Sequence, residues 1–113
     1  MVKQGLLLLA LMVAAGVPSP SFGQSPVAAP QTHVVEIKSF AFVPLRVVVK
    51  LADIVQWKNS DLAPHTATAD DGVWGTATLR NEESGDFVAK APGTFAYHCK
   101  FHPSMKGVIV VEQ

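Results

Sequence analysis

Most of this chain is written as short segments rich in β-branched residues, separated by turn residues, and that pattern restricts the fold more than any other feature. The alternation of Val35 and Ile37 with Glu36 and Lys38 is typical of a strand buried on one face. Sequences such as Asp70-Asp71-Gly72 and Pro92-Gly93 favour tight turns between such segments. We find no helical periodicity of useful length from residue 32 onward, so the pattern predicts an all-β protein.

About eight short strands are predicted, with an irregular bend at Phe40, Phe42 and Pro44 after the first of them. This number and spacing of strands favours a single-domain Greek-key β-sandwich. Alternation also places Phe95, Tyr97 and Cys99 on the inner face of one strand, so that His98 points away. The predicted strands are residues 33–38, 45–51, 54–58, 66–69, 76–79, 86–90, 94–99 and 107–112.

The N-terminus has the layout of a secretory signal peptide, with Lys3 before a twelve-residue apolar run at residues 6–17 and small residues up to Gly23. We therefore expect a signal peptide at residues 1–23, a flexible lead-in at 24–31 and one domain at 32–113. The alternative is an uncleaved membrane anchor, but the apolar run is shorter than a membrane span. Export to the periplasm without membrane attachment is the prediction. A net charge of zero gives no support for a nucleic-acid partner.

Sulfur is concentrated in one short segment. The single cysteine is Cys99, and once the predicted signal peptide is removed Met105 is the single methionine. An exported protein with one unpaired thiol needs a reason to keep it, and metal binding is one such reason. His102 lies midway between the two sulfur residues, and His65 would reach them from a neighbouring strand.

A thiolate, two imidazoles and a thioether form the donor set of a blue-copper electron-transfer site. Zinc suits the thiolate and imidazoles, but a thioether is a poor zinc ligand. The candidate metal ligands are therefore His65, Cys99, His102 and Met105. The inert alternative for the cysteine is a buried thiol that only fills space in the core. His33, near the end of the domain, is expected to be solvated.

The segment Tyr97-His98-Cys99, followed by His102-Pro103 and Met105, resembles the ligand loop of the cupredoxins, and among them the amicyanin group, which has the same Cys-x-x-His-x-x-Met spacing. The resemblance extends over roughly residues 32–112 and includes Trp57 and Pro64-His65. It implies a cupredoxin-like sandwich with copper held by the four candidate ligands. The sequence departs from the family pattern at two positions, with Thr66 where Asn is frequent and Ala52 where a turn glycine is usual.

The resemblance further implies a monomeric periplasmic one-electron carrier. Its redox partners, such as a dehydrogenase, a cytochrome c or a reductase, would dock at the apolar face around His102, to which Leu62, Ala63, Pro64, Phe101 and Pro103 belong. The alternative is a copper-binding protein for delivery or storage, although such proteins expose clusters of Met, His or Cys. An enzyme is disfavoured, because a hydrolytic cysteine needs access and catalytic copper needs further histidines.

Overall fold

The fold was analysed in a computed structural model, which describes residues 14–18 and 29–113. Apart from residues 14–18 and 29–31, the expected signal peptide (1–23) and lead-in (24–31) lie outside the described residues. Within the described part of the chain, no helix combines the length and the hydropathy of a membrane span.

Eight strands build two four-stranded sheets, which confirms the predicted all-β sandwich. One sheet has the order β2-β1-β4-β6 and the other the order β3-β8-β7-β5. Both sheets are mixed, since β1 is parallel to β4 and β3 is parallel to β8. The strands are β1 (Thr32–Lys38), β2 (Ala41–Val43), β3 (Arg46–Lys50), β4 (Ile54–Asn59), β5 (Thr68–Ala69), β6 (Ser84–Val88), β7 (Gly93–His98) and β8 (Lys106–Glu112).

The core lies between the sheets and is formed by the residues that alternation assigned to the inner faces. Val35 and Ile37 of β1 are fully buried, as is Trp57 of β4. Tyr97 of β7 packs edge-on against Trp57, with ring centroids 5.2 Å apart. Cys99 follows on the same inner face and is also fully buried, so the thiol points inward as predicted.

Two local predictions about strands are wrong. Residues 41–43 form a strand rather than an irregular bend, because they pair with β1 in register and bury Phe42. Residues 76–79 form no strand, and their backbone pairs with neighbouring segments only at isolated bridges. There the hydroxyl of Thr76 accepts a hydrogen bond from the N–H of Ala67 at 3.1 Å. In a regular strand pair, a backbone carbonyl would accept such a bond.

At the end of the sandwich away from His65 and Cys99, the structure corrects the expectation for His33 and shows the turn at Ala52, where a glycine is usual. His33 is only partly exposed, because its Nε2 lies 2.9 Å from Oδ2 of Asp53. Ala52 adopts a left-handed conformation with φ of 75°. The N–H of Asp53 still donates to the carbonyl of Lys50 at 3.0 Å, so the turn closes without the usual glycine.

Candidate metal centre

Pairing of two strands brings the distant histidine to the cysteine. β5 is antiparallel to β7, with Thr68 opposite His98. The chain before β5 therefore runs alongside the chain after β7, and His65 comes to lie beside Cys99. His65 is held there by a two-way bridge with Leu79, whose N–H and C=O both bond to the backbone of His65 at 2.8 and 3.0 Å.

Three of the four predicted ligands converge at this end of the sandwich. Nδ1 of His65 lies 3.7 Å from Sγ of Cys99, and Nδ1 of His102 lies 3.9 Å from the same sulfur. All three donor atoms lie within 4.8 Å of one another. Two donors bound to one ion at about 2.0–2.3 Å stand about 3.3–4 Å apart, so the two sulfur–nitrogen separations fit a shared metal ion.

The fourth predicted ligand, Met105, lies in the loop that follows Cys99. The loop is closed by two backbone hydrogen bonds, from the N–H of Met105 to the carbonyl of His102 at 2.9 Å and from the N–H of Cys99 to the carbonyl of Met105 at 3.0 Å. Met105 is buried, with an exposed fraction of 4%, and joins the hydrophobic core beside Cys99. His98 points away from the cluster, as predicted, and its Nδ1 lies 2.6 Å from Oδ1 of Asp70.

The ring of His65 is oriented by Asp61, which sequence reasoning missed. Nε2 of His65 lies 2.8 Å from Oδ2 of Asp61. A carboxylate can only accept, so Nε2 carries the proton and Nδ1 turns its lone pair toward the cysteine. Carboxylates behind metal-binding histidines act in this way. Its position four residues before His65 is the one signal that the sequence contains for this role.

Asp61 also connects the metal centre to the hairpin between β1 and β2. Its two carboxylate oxygens accept hydrogen bonds from the N–H groups of Ser39 at 2.7 Å and Phe40 at 3.0 Å. Burial raises the pKa of Asp61, but the hydrogen bonds from Phe40, His65 and Ser39 outweigh it and hold the pKa below the usual value of an aspartic acid. The group is therefore an anionic acceptor at neutral pH.

Asn59 shapes the loop that carries His65. Its side chain is fully buried, and Nδ2 donates to the carbonyls of Ala63 at 2.8 Å and Leu79 at 2.9 Å. Its Oδ1 accepts from the N–H of Asp61 at 2.9 Å. The carboxamide thus bonds to backbone groups that have no partner in a strand, and it fixes the loop between Asp61 and His65.

The sulfur of Cys99 receives a backbone hydrogen bond from the segment that carries His65. The N–H of Thr66 lies 3.4 Å from Sγ of Cys99. The hydroxyl of Thr66 accepts a hydrogen bond from the N–H of Lys100 at 2.8 Å. Threonine at this position therefore still ties the two ligand segments together, although Asn is frequent there in the family that the sequence resembles.

His102 is the more accessible of the two imidazoles. His65 is fully buried, whereas His102 is only partly buried. Among the apolar residues predicted around His102, Leu62 is 91% exposed and Phe101 is 48% exposed. Phe40, which was not predicted to belong to this face, is 50% exposed and contacts both imidazole rings. The partly exposed imidazole of His102 therefore lies at the surface in contact with a half-exposed aromatic ring.

Comparison with known proteins gives concordant results. The family model for the cupredoxin-like domain matches residues 5–111. Amicyanin from Paracoccus denitrificans is 33% identical over 108 residues, covering 91% of this chain and 82% of the relative. Amicyanin-alpha from Methylorubrum extorquens is 34% identical over 84 residues, covering 69% of this chain and 70% of the relative.

Solved structures of amicyanin variants share the fold. One in its Cu(I) form has a TM-score of 0.69 and 31% identity, covering 74% of this chain and 85% of the other. Another in its oxidised state also has a TM-score of 0.69, with 30% identity, covering 72% of this chain and 82% of the other.

A two-sheet β-sandwich with two imidazoles and one thiolate at one end defines a small metal-binding protein, with one such cluster in the part of the chain that the structure describes. The chain belongs to the cupredoxin family. Membership confirms three predictions made from the sequence, namely a cupredoxin most like the amicyanins, copper as the cofactor and electron transfer rather than enzymatic catalysis.

Proposed function

We propose that this protein is a periplasmic one-electron carrier whose copper site alternates between Cu(II) and Cu(I). The observation that carries the proposal is the convergence of His65, His102 and Cys99 at one end of the sandwich, with the three donor atoms within 4.8 Å of one another. When bound, copper supplies the orbital that accepts and releases the electron. The protein would supply the two imidazoles and the thiolate that hold it.

His65, Cys99 and His102 would hold the metal, with the thioether of Met105 as a weaker fourth donor. The loop closed by backbone hydrogen bonds and the burial of Met105 support its assignment, because they bring the backbone of Met105 next to Cys99 and keep its side chain out of solvent. The hydrogen bond from Thr66 to the sulfur and the hydrogen bond between Asp61 and His65 limit the movement of the donors. Limited movement keeps the rearrangement that accompanies electron transfer small.

We further propose that residues 1–23 are an export signal, that residues 24–31 are a flexible lead-in and that residues 32–113 are the copper domain. Redox partners would dock on the apolar face around His102, with the protein remaining a monomer. The contact of half-exposed Phe40 with the more accessible imidazole supports this face as the contact surface, as does the exposure of the predicted apolar residues Leu62 and Phe101.

The test is to add Cu(II) to the protein comprising residues 24–113 and to record its visible and electron paramagnetic resonance spectra. Intense blue absorption is expected, with loss of the band in Cys99→Ser and a shifted spectrum in Met105→Leu. A colourless protein that binds zinc tightly would contradict the proposal. If the parent protein is blue and Met105→Leu has the same spectrum, the assignment of Met105 as a metal ligand is wrong.

Metal delivery or storage is the competing function, and the ligand environment argues against it. Proteins that exchange metal expose their donors, whereas Cys99 is fully buried and His65 has no exposed surface. Rapid loss of copper to a small chelator, together with a reduction potential outside the range of exported redox proteins, would favour delivery over electron transfer.

A further inference from the structure

The turn between β1 and β2 adopts a conformation that its residues do not favour. Ser39 has φ of 51° and Phe40 has φ of 56°, so both lie in the left-handed region. Two-residue hairpin turns of this kind normally contain Asn and Gly, which tolerate positive φ. A phenylalanine there is rare, because its Cβ crowds the backbone. Strained residues of this kind persist where the surrounding structure holds them, and they are concentrated at functional sites.

The carboxylate of Asp61 holds this turn in place. It accepts hydrogen bonds from the N–H groups of both Ser39 and Phe40, at 2.7 and 3.0 Å. The same carboxylate accepts the proton of Nε2 of His65 at 2.8 Å. One partly buried carboxylate therefore sets the position of the turn relative to the metal centre.

The strained turn places the ring of Phe40 against both imidazoles of the centre. Its centroid lies 5.1 Å from that of His65 and 4.9 Å from that of His102, with interplanar angles of 87° and 84°. The two imidazole centroids are themselves 5.2 Å apart. Because half of the Phe40 side chain remains exposed, burial in the core does not explain why it occupies this position.

We propose that Phe40 is a positioning residue that restrains the ring of His102. His102 is the partly exposed imidazole, and its Nδ1 must stay directed at the sulfur of Cys99 to serve the centre. An aromatic ring at right angles to it blocks rotation of the imidazole out of that orientation. The inference rests on the proposed electron-carrier function, since a restrained ligand keeps the same geometry in both oxidation states.

The test compares Phe40→Ala with Phe101→Ala, which removes a second aromatic ring of similar exposure next to His102. The first measurement is made on the metal-free folded protein, by nuclear magnetic resonance couplings that report the side-chain rotamers of His102. From the usual strength of aromatic edge contacts, we expect the population of rotated His102 to rise about threefold to tenfold in Phe40→Ala. Phe101→Ala should match the parent.

The second measurement is the rate at which an excess of a Cu(I) chelator removes copper from the reduced protein. This rate should rise by a similar factor in Phe40→Ala, and Phe40→Tyr, which keeps the ring, should restore the parent value. If Phe40→Ala does not fold, Phe40→Leu keeps the apolar volume without the ring and takes its place. Unchanged His102 rotamers in the folded variant, or an equal effect of Phe101→Ala, would overturn the inference. If the parent binds no copper, the proposed function fails, while the rotamers still decide the role of Phe40.

Discussion

The hydroxyl of Thr66 accepts a hydrogen bond from the N–H of Lys100 at 2.8 Å, and this contact joins the segment that carries His65 to the segment that carries Cys99. The N–H of Thr66 reaches the sulfur of Cys99 at 3.4 Å, so one residue stabilises the centre through both its backbone and its side chain. Threonine at this position therefore links the two segments that carry the candidate ligands.

Thr66→Val removes the hydroxyl and nearly preserves the shape of the side chain. The N–H of Lys100 then loses its acceptor, and we expect the free energy of unfolding of the metal-free protein to fall by about 0.5–1.5 kcal/mol. Urea denaturation measures the change. Thr66→Ser, which keeps the hydroxyl, and Thr94→Val on the exposed side of β7 are the controls. Equal stability of Thr66→Val and the parent would refute a stabilising cross-link.

Asp61→Ala removes the acceptor behind His65 together with both hydrogen bonds to the β1–β2 turn. The imidazole loses the partner that fixes its proton on Nε2. We expect copper affinity to fall about 10- to 100-fold, as is typical when the partner of a metal-binding histidine is removed. Competition with a chelator of known affinity measures it, with exposed Asp71→Ala as the control. An affinity like that of the parent would show that the ring is oriented without Asp61.

Gly107 occupies a position where any side chain would collide with the core. It lies opposite Tyr97 on the neighbouring strand, and a Cβ built on Gly107 overlaps the ring of Tyr97. Burial raises the pKa of Tyr97 to about 12, in keeping with a ring enclosed on all sides.

We expect Gly107→Ala to lower the free energy of unfolding by about 1–3 kcal/mol or more, as overpacking of a core does. Gly75→Ala is the matched control, because its Cβ would meet its nearest neighbour at an ordinary 3.6 Å. Thermal unfolding of the two variants, followed by circular dichroism, tests the difference. The idea fails if both variants unfold at the same temperature.

Ala52 adopts φ of 75° in the turn between β3 and β4, where a residue with a Cβ is strained. Glycine relieves that strain but has more conformational freedom to lose on folding. We expect Ala52→Gly to raise the free energy of unfolding by about 0.5–1 kcal/mol, measured with urea. Ala91→Gly, at a position without positive φ, should lower it instead, and stabilisation by both substitutions would contradict the assignment of strain.

Asp53 makes folding sensitive to acid at the end of the sandwich away from the metal centre. Hydrogen bonds from the N–H groups of Gln31 and Lys50 and from the ring of His33 lower its pKa from 3.8 to about 2. Its contribution to stability is therefore complete above pH 3.8 and is lost as the pH falls toward 2.

In urea titrations between pH 6 and pH 2, Asp53→Asn should thus lose less stability on acidification than the parent. The exposed Asp86→Asn is the control and should follow the parent curve. Parallel curves for Asp53→Asn and the parent would disprove a stabilising role of the ionised carboxylate.

Spacing within short segments predicted much of this molecule. The period-two alternation around Val35, Ile37 and Tyr97 assigned the buried faces, because side-chain direction in a strand is a local property. The three-residue spacing of Cys99 and His102 predicted that both belong to one centre, since one short loop carries them. The local pattern predicted a strand at residues 76–79 wrongly, because this segment has no continuous partner strand and is held by isolated bridges and by the hydroxyl of Thr76.

The sequence by itself determined the fold class, the family resemblance and the candidate ligands, because these depend on residue type and on short spacings. Only the tertiary structure decided which groups hold the ligands in place. Phe40 and Asp61 are 21 residues apart in the chain, and Thr66 and Lys100 are 34 apart. Such contacts depend on strand pairing and on turn conformations at Ser39 and Phe40 that local preference opposes, so no pattern within a short segment contains them.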